Sequence, residues 1–302
     1  MSEKFDLRLA EWKEQIDDCL NKCVDDTSYP DEFKDILKYA LFPGGKRLRP
    51  VLFLEWHSMY TQPDKNALWY ACGIEMMHSY SLIHDDMPCM DNDDFRRGKP
   101  SVHKKYGEAK ALLAGDALLD MAYNAMIDSS LAVGDVKSMK HFSLSGDRGI
   151  IHGQYLDLYR KNKSIDDLID IYEKKTASLI KGSCLSGYAF SQKQGNGLLS
   201  MLFDDEMSVV DLSGVSPEEI ELFYAVERFG KNFGIAFQLY DDISEYIAGE
   251  KTDGTSVLDF LDLAAAKELL NNYLNTATTA LSADFGGDTS FLKELVEKFI
   301  IV

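Results

Sequence analysis

Residues 72–86 read CGIEMMHSYSLIHDD, and this stretch decides the fold class. From Cys72 to His84 the segment reads as a mostly apolar helix, which Asp85 and Asp86 continue until Pro88 disturbs it. The rest of the chain has the same character. Only seven prolines occur, with none between Pro100 and Pro217 and none after Pro217, so long uninterrupted helices can run over most of the sequence. Apolar residues recur at three- and four-residue spacings, as in Leu112, Leu113, Leu118, Leu119 and Tyr123. SPEE at 216–219 places Ser at an N-cap, Pro at N1 and Glu at N3 of a helix, and SIDD at 164–167 is a weaker start of the same kind. Runs of strict alternation are absent, and the strongest hairpin-like dipeptide, Asp253-Gly254, does not sit between strand-like runs. These features predict an all-α chain of ten or more helices. No linker or change of composition divides it, so residues 1–302 read as a single domain.

Composition narrows the function. The net charge of −18 argues against non-specific nucleic-acid binding and fits cation binding. The five cysteines, Cys19, Cys23, Cys72, Cys89 and Cys184, are odd in number and scattered, with no C-x-x-C pair. That pattern predicts neither a disulfide framework nor a zinc site, and points to a reducing, cytoplasmic compartment. The N-terminal stretch is charged and helix-periodic, unlike a signal peptide, and no apolar run approaches a membrane span.

The apolar helix ends in DDMPCMDNDDFRRGKP, residues 85–100, where Asp85, Asp86, Asp91, Asp93 and Asp94 crowd together ahead of Arg96 and Arg97. At 4 Å and an effective dielectric of 20, each like-charge pair costs about 4 kcal/mol. The cluster therefore reads either as a solvated helix end or as a site for a hard cation such as Mg²⁺, which takes oxygen ligands and substrate phosphates. Asp91 can rejoin Asp85 only if a short bulge brings it back. A second cluster, Asp241, Asp242 and Glu245, lies on a helix flanked by Phe237, Leu239, Ile243 and Ile247. Asp241 and Glu245 share a face there, and buried carboxylates call for partners or metal. Two such clusters could face each other across several Mg²⁺ ions.

Basic residues gather at other points. PGGKRLRP at 43–50 sets Lys46, Arg47 and Arg49 beside two glycines, which suits either a phosphate contact or an ordinary charged loop. Lys174, Lys175 and Thr176 lie on another helix. His78 sits about two turns before Asp85, where a structural role competes with a binding one, and His103 reads as a surface or capping residue.

The segments GGKRLRP, HDDMPCMDNDDFRRGKPSVH, LLAGDALL, GQYLDL, KKTASL and FQLYDDISE resemble, in order and spacing, the short-chain trans-isoprenyl diphosphate synthases of the polyprenyl synthetase family, most of all the bacterial farnesyl diphosphate synthase type. The resemblance covers the chain from about residue 36 onward. It implies a helical bundle around a central cavity, working as a homodimer. It also implies that isopentenyl diphosphate adds to an allylic diphosphate ionised with the help of two to three Mg²⁺ ions. By this likeness Asp85 and Asp91 bind Mg²⁺ from one side with Asp86 in support, and Asp241 and Glu245 bind it from the other. Arg96, Lys175, Thr176 and Gln238 match positions that hold the allylic diphosphate or steady the cation. Lys46, Arg49, His78 and Arg97 match the isopentenyl diphosphate site.

Tyr80, five residues before Asp85, lies about 7.5 Å deeper along the helix axis, where a ring would block a growing hydrocarbon tail. Beside the small Ser81, and with Pro88 and Cys89 in the acidic motif, the resemblance associates it with a fifteen-carbon product; the competing reading of Tyr80 is ordinary core. Two departures stand out. Glu245 replaces the usual last Asp of the second motif. The segment 246–262 is also shorter than in the family, with Gly254 where a lysine would fall and Lys251 as its one cation. They keep a non-catalytic partner subunit among the alternatives, next to a geranyl or geranylgeranyl diphosphate synthase. A terpene cyclase would have no use for the second diphosphate site.

Overall fold

The computed structural model describes residues 2–42, 45–133, 146, 148–160, 164–191, 216–249 and 255–301. Lys251, Asp253 and Gly254, and Pro43 and Gly44 of the glycine-rich motif, lie outside the described residues. The described chain is almost wholly helical, as expected, and it divides into two compact units, residues 1–54 with 63–139 and residues 55–62 with 140–302.

The first unit holds α1 (Glu3–Asp25), α2 (Asp31–Leu41), the start of α3 (Leu48–Ser58), α4 (Lys65–Asp85), α5 (Val102–Tyr106) and α6 (Glu108–Val133). Each start has a local cause. Ser2 accepts from the Phe5 amide to cap α1, and Asp64 accepts from the Asn66 and Ala67 amides to cap α4. α4 is buried nearly all round because α1 and α6 both pack on it. Its contact with α6 is close at Gly73, where a Cβ would stand 2.6 Å from Met126 Cγ and 2.9 Å from the Ala122 carbonyl. Gly115 of LLAGDALL likewise permits a close approach. A Cβ there would overlap the ring of His84, whose Nε2 lies 3.2 Å from the Leu112 carbonyl.

One element departs from the all-helical expectation. Phe95–Arg96 and Lys99–Pro100 pair as an antiparallel hairpin turned through Arg97 (φ 53°) and Gly98 (φ 74°). Two consecutive positive φ values make the tight turn that matches strand twist. Strands of two residues are too short to show alternation, which is why no periodicity announces them.

The second unit holds the end of α3, α7 (Ile150–Tyr159), α8 (Ile165–Tyr172), a π-turn at Glu173–Ala177, α9 (Ser178–Ser191), α10 (Pro217–Ile247), a short 3-10 turn (Val257–Asp259), α11 (Leu263–Ala280) and α12 (Ser290–Glu297). The predicted capping box is real at α10, where Ser216 accepts from the Glu219 amide and Glu219 from the Ser216 amide. At α8, Ser164 caps Asp167 alone. Aromatic side chains fill this core: Trp56 meets Phe229 and Phe285 edge-on, and Phe299 is ringed by Phe233, Phe237 and Tyr240. The described residues include no helix long and apolar enough to cross a membrane.

Candidate active site

The acidic end of α4 solves the geometric problem posed by its sequence. After α4 the chain loops through Pro88 and returns, so that the Asp91 amide donates to the Asp85 carbonyl at 2.9 Å, while the Asn92 amide donates to Met87. Asn92 takes a positive φ of 56° to make the turn. Asp85 is half-buried and Asp91 exposed, so two carboxylate residues six apart in sequence are joined at one lip.

Asp86 does something different. It is buried, and one of its oxygens accepts from both Nε (2.8 Å) and Nη2 of Arg96. Burial raises its pKa and the Arg96 contact pulls the other way. Arg96 also reaches Asp93 at 3.2 Å, and Lys104 pairs with Asp94 at 2.7 Å. The arginine that follows the aspartates thus neutralises one of them directly, and a cavity of about 50 Å³ opens beside the pair, lined by Ser79, Asp86, Arg96, Arg97 and Ser101 among others.

The basic stretch splits by direction. Lys46 is exposed, whereas Arg47 turns inward with a φ of 52° and is 2% exposed. Its guanidinium donates to Asp17 (2.8 Å), Glu75 (2.6 Å) and the Leu41 carbonyl (2.8 Å). Arg47 is therefore committed to the protein interior, which removes it from the candidate phosphate contacts. Arg49 lies 3.3 Å from His78 Nε2, and the Arg97 guanidinium packs on Gly45, where a Cβ would come within 2.5 Å of it. Gly45, Arg49, His78 and Arg97 thereby form one basic nest. Burial and then the charges of Arg49, Arg97, Arg47 and Arg96 hold the His78 imidazole well below its ordinary pKa. A neutral ring beside cationic groups can accept a hydrogen bond from a guanidinium and leave the positive charge for an anion. His103, expected at the surface or in a cap, is buried at the start of α5, with Nδ1 2.9 Å from the hydroxyl of the N-cap Ser101.

In the second unit, Lys175 and Thr176 sit in the π-turn Glu173–Ala177, a distortion that frequently marks functional sites. The turn is held between two glycines. Gly153 of GQYLDL abuts the Lys175 backbone so closely that a Cβ would overlap it, and Gly234 abuts Ala177. Lys175 pairs with Asp157 at 2.6 Å, and Thr176 donates to Gln238 at 3.0 Å. Gln238 in turn donates to Asp242 at 3.1 Å. Asp242 also accepts from the Tyr172 hydroxyl and from the Val257 amide at 2.8 Å. Burial raises its pKa against these hydrogen bonds. Asp242 is thus an internal fastener, while Asp241 is half-buried and Glu245 exposed, one turn apart on α10. Asp157 and Tyr172 escaped the motif reading. Asp157 lies inside GQYLDL and had a signal; Tyr172 had none.

Tyr80 is buried, its hydroxyl has no hydrogen-bond partner among the described residues, and its ring meets that of His84 edge-on. Burial, then Tyr123 and Asp85, raise its pKa. Ser81 is buried beside it and donates to the His78 carbonyl at 2.9 Å.

Comparison with known proteins decides the family. The polyprenyl synthetase profile matches residues 30–205. The chain belongs to the polyprenyl synthetase family. This prenyltransferase is 34% identical over 266 residues to farnesyl diphosphate synthase of Bacillus subtilis, covering 85% of this chain and 81% of that protein. It is also 34% identical over 258 residues to geranylgeranyl diphosphate synthase of Cyanophora paradoxa, covering 82% and 77%. Among solved structures, a geranyltransferase from Legionella pneumophila superposes with a TM-score of 0.81 at 26% identity, over 98% of this chain and 97% of that one. An FPP/GFPP synthase from Zymomonas mobilis gives a TM-score of 0.78 at 26% identity over the whole of both chains. The activity is that of a trans-prenyl diphosphate synthase in isoprenoid biosynthesis.

Proposed function

We propose that this synthase makes farnesyl diphosphate, adding isopentenyl diphosphate first to dimethylallyl and then to geranyl diphosphate. The observation that carries the reading is the placement of Tyr80 on α4: a bulky buried ring one to two turns below Asp85. The relatives at this level of identity include both farnesyl and geranylgeranyl diphosphate synthases, so the choice of product rests on the ring.

In this reading Asp85 and Asp91 would hold Mg²⁺ at and just after the end of α4, and Asp241 with Glu245 would offer a Mg²⁺ site near the end of α10. The donor set fits the ion, since all four side chains offer hard oxygens and are at least partly accessible. When bound, Mg²⁺ supplies positive charge that makes diphosphate a competent leaving group. Arg96 and Lys175 add fixed positive charge toward the allylic diphosphate. As the C1–O bond breaks, the diphosphate leaves with the electron pair, and Thr176 and Gln238 turn their oxygens toward the allylic cation. Lys46, Arg49, His78 and Arg97 hold isopentenyl diphosphate, whose double bond supplies the electrons of the new C–C bond. A proton then leaves the adjacent carbon, and the released diphosphate takes it up. Residues 1–302 act as one domain within a cytosolic homodimer.

The test is to incubate the purified chain with Mg²⁺, isopentenyl diphosphate and either allylic substrate, and to chromatograph the dephosphorylated products. Farnesol as the main product is expected from both. Geranylgeraniol as the main product overturns the chain-length reading. No consumption of isopentenyl diphosphate would make the chain a partner subunit, and a cyclised hydrocarbon formed without it would make the chain a cyclase.

A further inference from the structure

The cysteines do not stay scattered. Cys19 and Cys23 lie one turn apart on α1, and Cys72 faces them from α4. Their three sulfurs lie within 4.8 Å of one another. Among the described residues this is the one group of three or more potential metal ligands that converges so closely. It is separate from the proposed magnesium sites, being thirteen residues from Asp85 at its nearest.

We propose that Cys19, Cys23 and Cys72 form a binding site for a single soft, thiophilic metal ion, of which Zn²⁺ is the type, and that the ion clips α1 to α4. The geometry is close to what such an ion needs. Tetrahedral coordination at a Zn–S distance of about 2.3 Å puts sulfurs about 3.8 Å apart, so small rotations about χ1 complete the shell. Cys23 and Cys72 are buried, and the Cys72 thiol donates weakly to the Ile16 carbonyl at 3.8 Å, a contact that metal uptake would replace. Cys19 is half-buried, which leaves an approach from solvent and room for a water as the fourth ligand. An all-thiol set rejects Mg²⁺ and Ca²⁺, which take oxygen, and selects soft ions. Uptake forms metal–sulfur bonds at the expense of S–H bonds, and the protons leave to solvent.

The setting suggests what the ion would do. α4 is the helix that ends in Asp85, and α1 packs on it directly and is bridged to it by Arg47, which pairs with Asp17 and Glu75. Neither helix is close enough in sequence to the other for local structure to hold the two together, so a bound ion would add stability to the unit that carries the acidic lip.

The test uses the full chain, reduced and freed of metal, titrated with Cd²⁺ as a spectroscopic probe and with Zn²⁺ in competition. The expected result is a thiolate-to-metal charge-transfer band in the near ultraviolet that saturates at one equivalent. It should be displaced by Zn²⁺, untouched by Mg²⁺ and unchanged in Cys89→Ser. Proton release on Zn²⁺ binding and a rise in melting temperature should accompany it. Cys19→Ser, at the accessible position, should weaken Zn²⁺ binding at least about tenfold, because loss of a direct ligand exceeds the loss of an outer-shell partner. Cys72→Ser should do the same if circular dichroism shows it folded; if it is not, Cys19→Ser decides. Absence of the band, or a band that Cys19→Ser leaves at full affinity, overturns the proposal. None of these readouts depends on prenyltransfer, so they stand apart from the product assay.

Discussion

Arg47→Ala should cost stability, although its motif makes it look like a substrate contact. Arg47 and Glu75 are each 2% exposed and meet at 2.6 Å. Truncating the arginine leaves the Glu75 carboxylate without its direct partner in a low-dielectric interior, with the charge of Arg97 still acting on it, and breaking a buried pair from one side typically costs about 3–5 kcal/mol. The Asp17 contact adds on the order of 1 kcal/mol at most, because that side chain is 38% exposed and screened by water. The Leu41 carbonyl loses a donor as well. At about 2 °C per kcal/mol, suited to a chain of this size, the melting temperature should fall by roughly 6–10 °C. Urea unfolding followed by circular dichroism, alongside KM for isopentenyl diphosphate, measures both sides. Arg47→Met with Glu75→Leu should cost less than Arg47→Ala, since an apolar pair leaves no buried charge. The reasoning fails if Arg47→Ala melts within about 2 °C of the parent while KM rises more than tenfold. It fails too if the double variant costs the sum of the singles.

Four further outcomes follow from the same geometry. Asp85→Ala and Asp91→Ala should each lose most of the activity and the melting response to Mg²⁺ plus a bisphosphonate while staying folded, because they relieve crowding; a parent enzyme whose melting ignores that mixture argues against the metal reading. Tyr80→Ala should lengthen the product to twenty carbons or more while Tyr80→Phe keeps it at fifteen, since the ring and not its unpartnered hydroxyl blocks the tail; chromatography would show an unchanged product from Tyr80→Ala if the ring has no such role. His78 has a depressed folded pKa, so the unfolded chain takes up its proton first. Stability from this group is present above about pH 6.5 and is lost, by up to about 1.4 kcal/mol per pH unit, as pH falls toward the folded value; His78→Gln should flatten that part of the profile, and equal profiles would remove the basic nest as the cause. Gly153→Ala should cost about 1–3 kcal/mol by overpacking and lower kcat by displacing Lys175, and a variant with parental melting and turnover would mean the two backbones are not in contact.

Helix content was readable residue by residue because helix periodicity, proline spacing and capping are local: SPEE needs only its own four residues to start α10, and the apolar run before Asp85 needs only its own turn-to-turn spacing. The same holds for the inventory of acidic and basic residues, which motif order alone assigned to a family. Partner choice was not readable, because it is made across the fold. Of three cations in one motif, Arg47 was drawn inward by Asp17 and Glu75, 30 and 28 residues away. Of two aspartates at the end of α4, Asp86 took Arg96 while Asp85 was joined through its carbonyl to the returning chain at Asp91. Asp242 became a fastener for Tyr172 and Val257 while Asp241, its neighbour, stays half-buried on the adjacent face. Glu75 stands in a mostly apolar helix, where a buried carboxylate calls for a cation. Three cysteines with no recognisable spacing converged because α1 and α4 pack face to face, and sequence separation carries no record of which helix faces will meet. A side chain's direction on its own helix follows from 3.6 residues per turn; what it meets there depends on burial and charge supplied by residues distant in the chain.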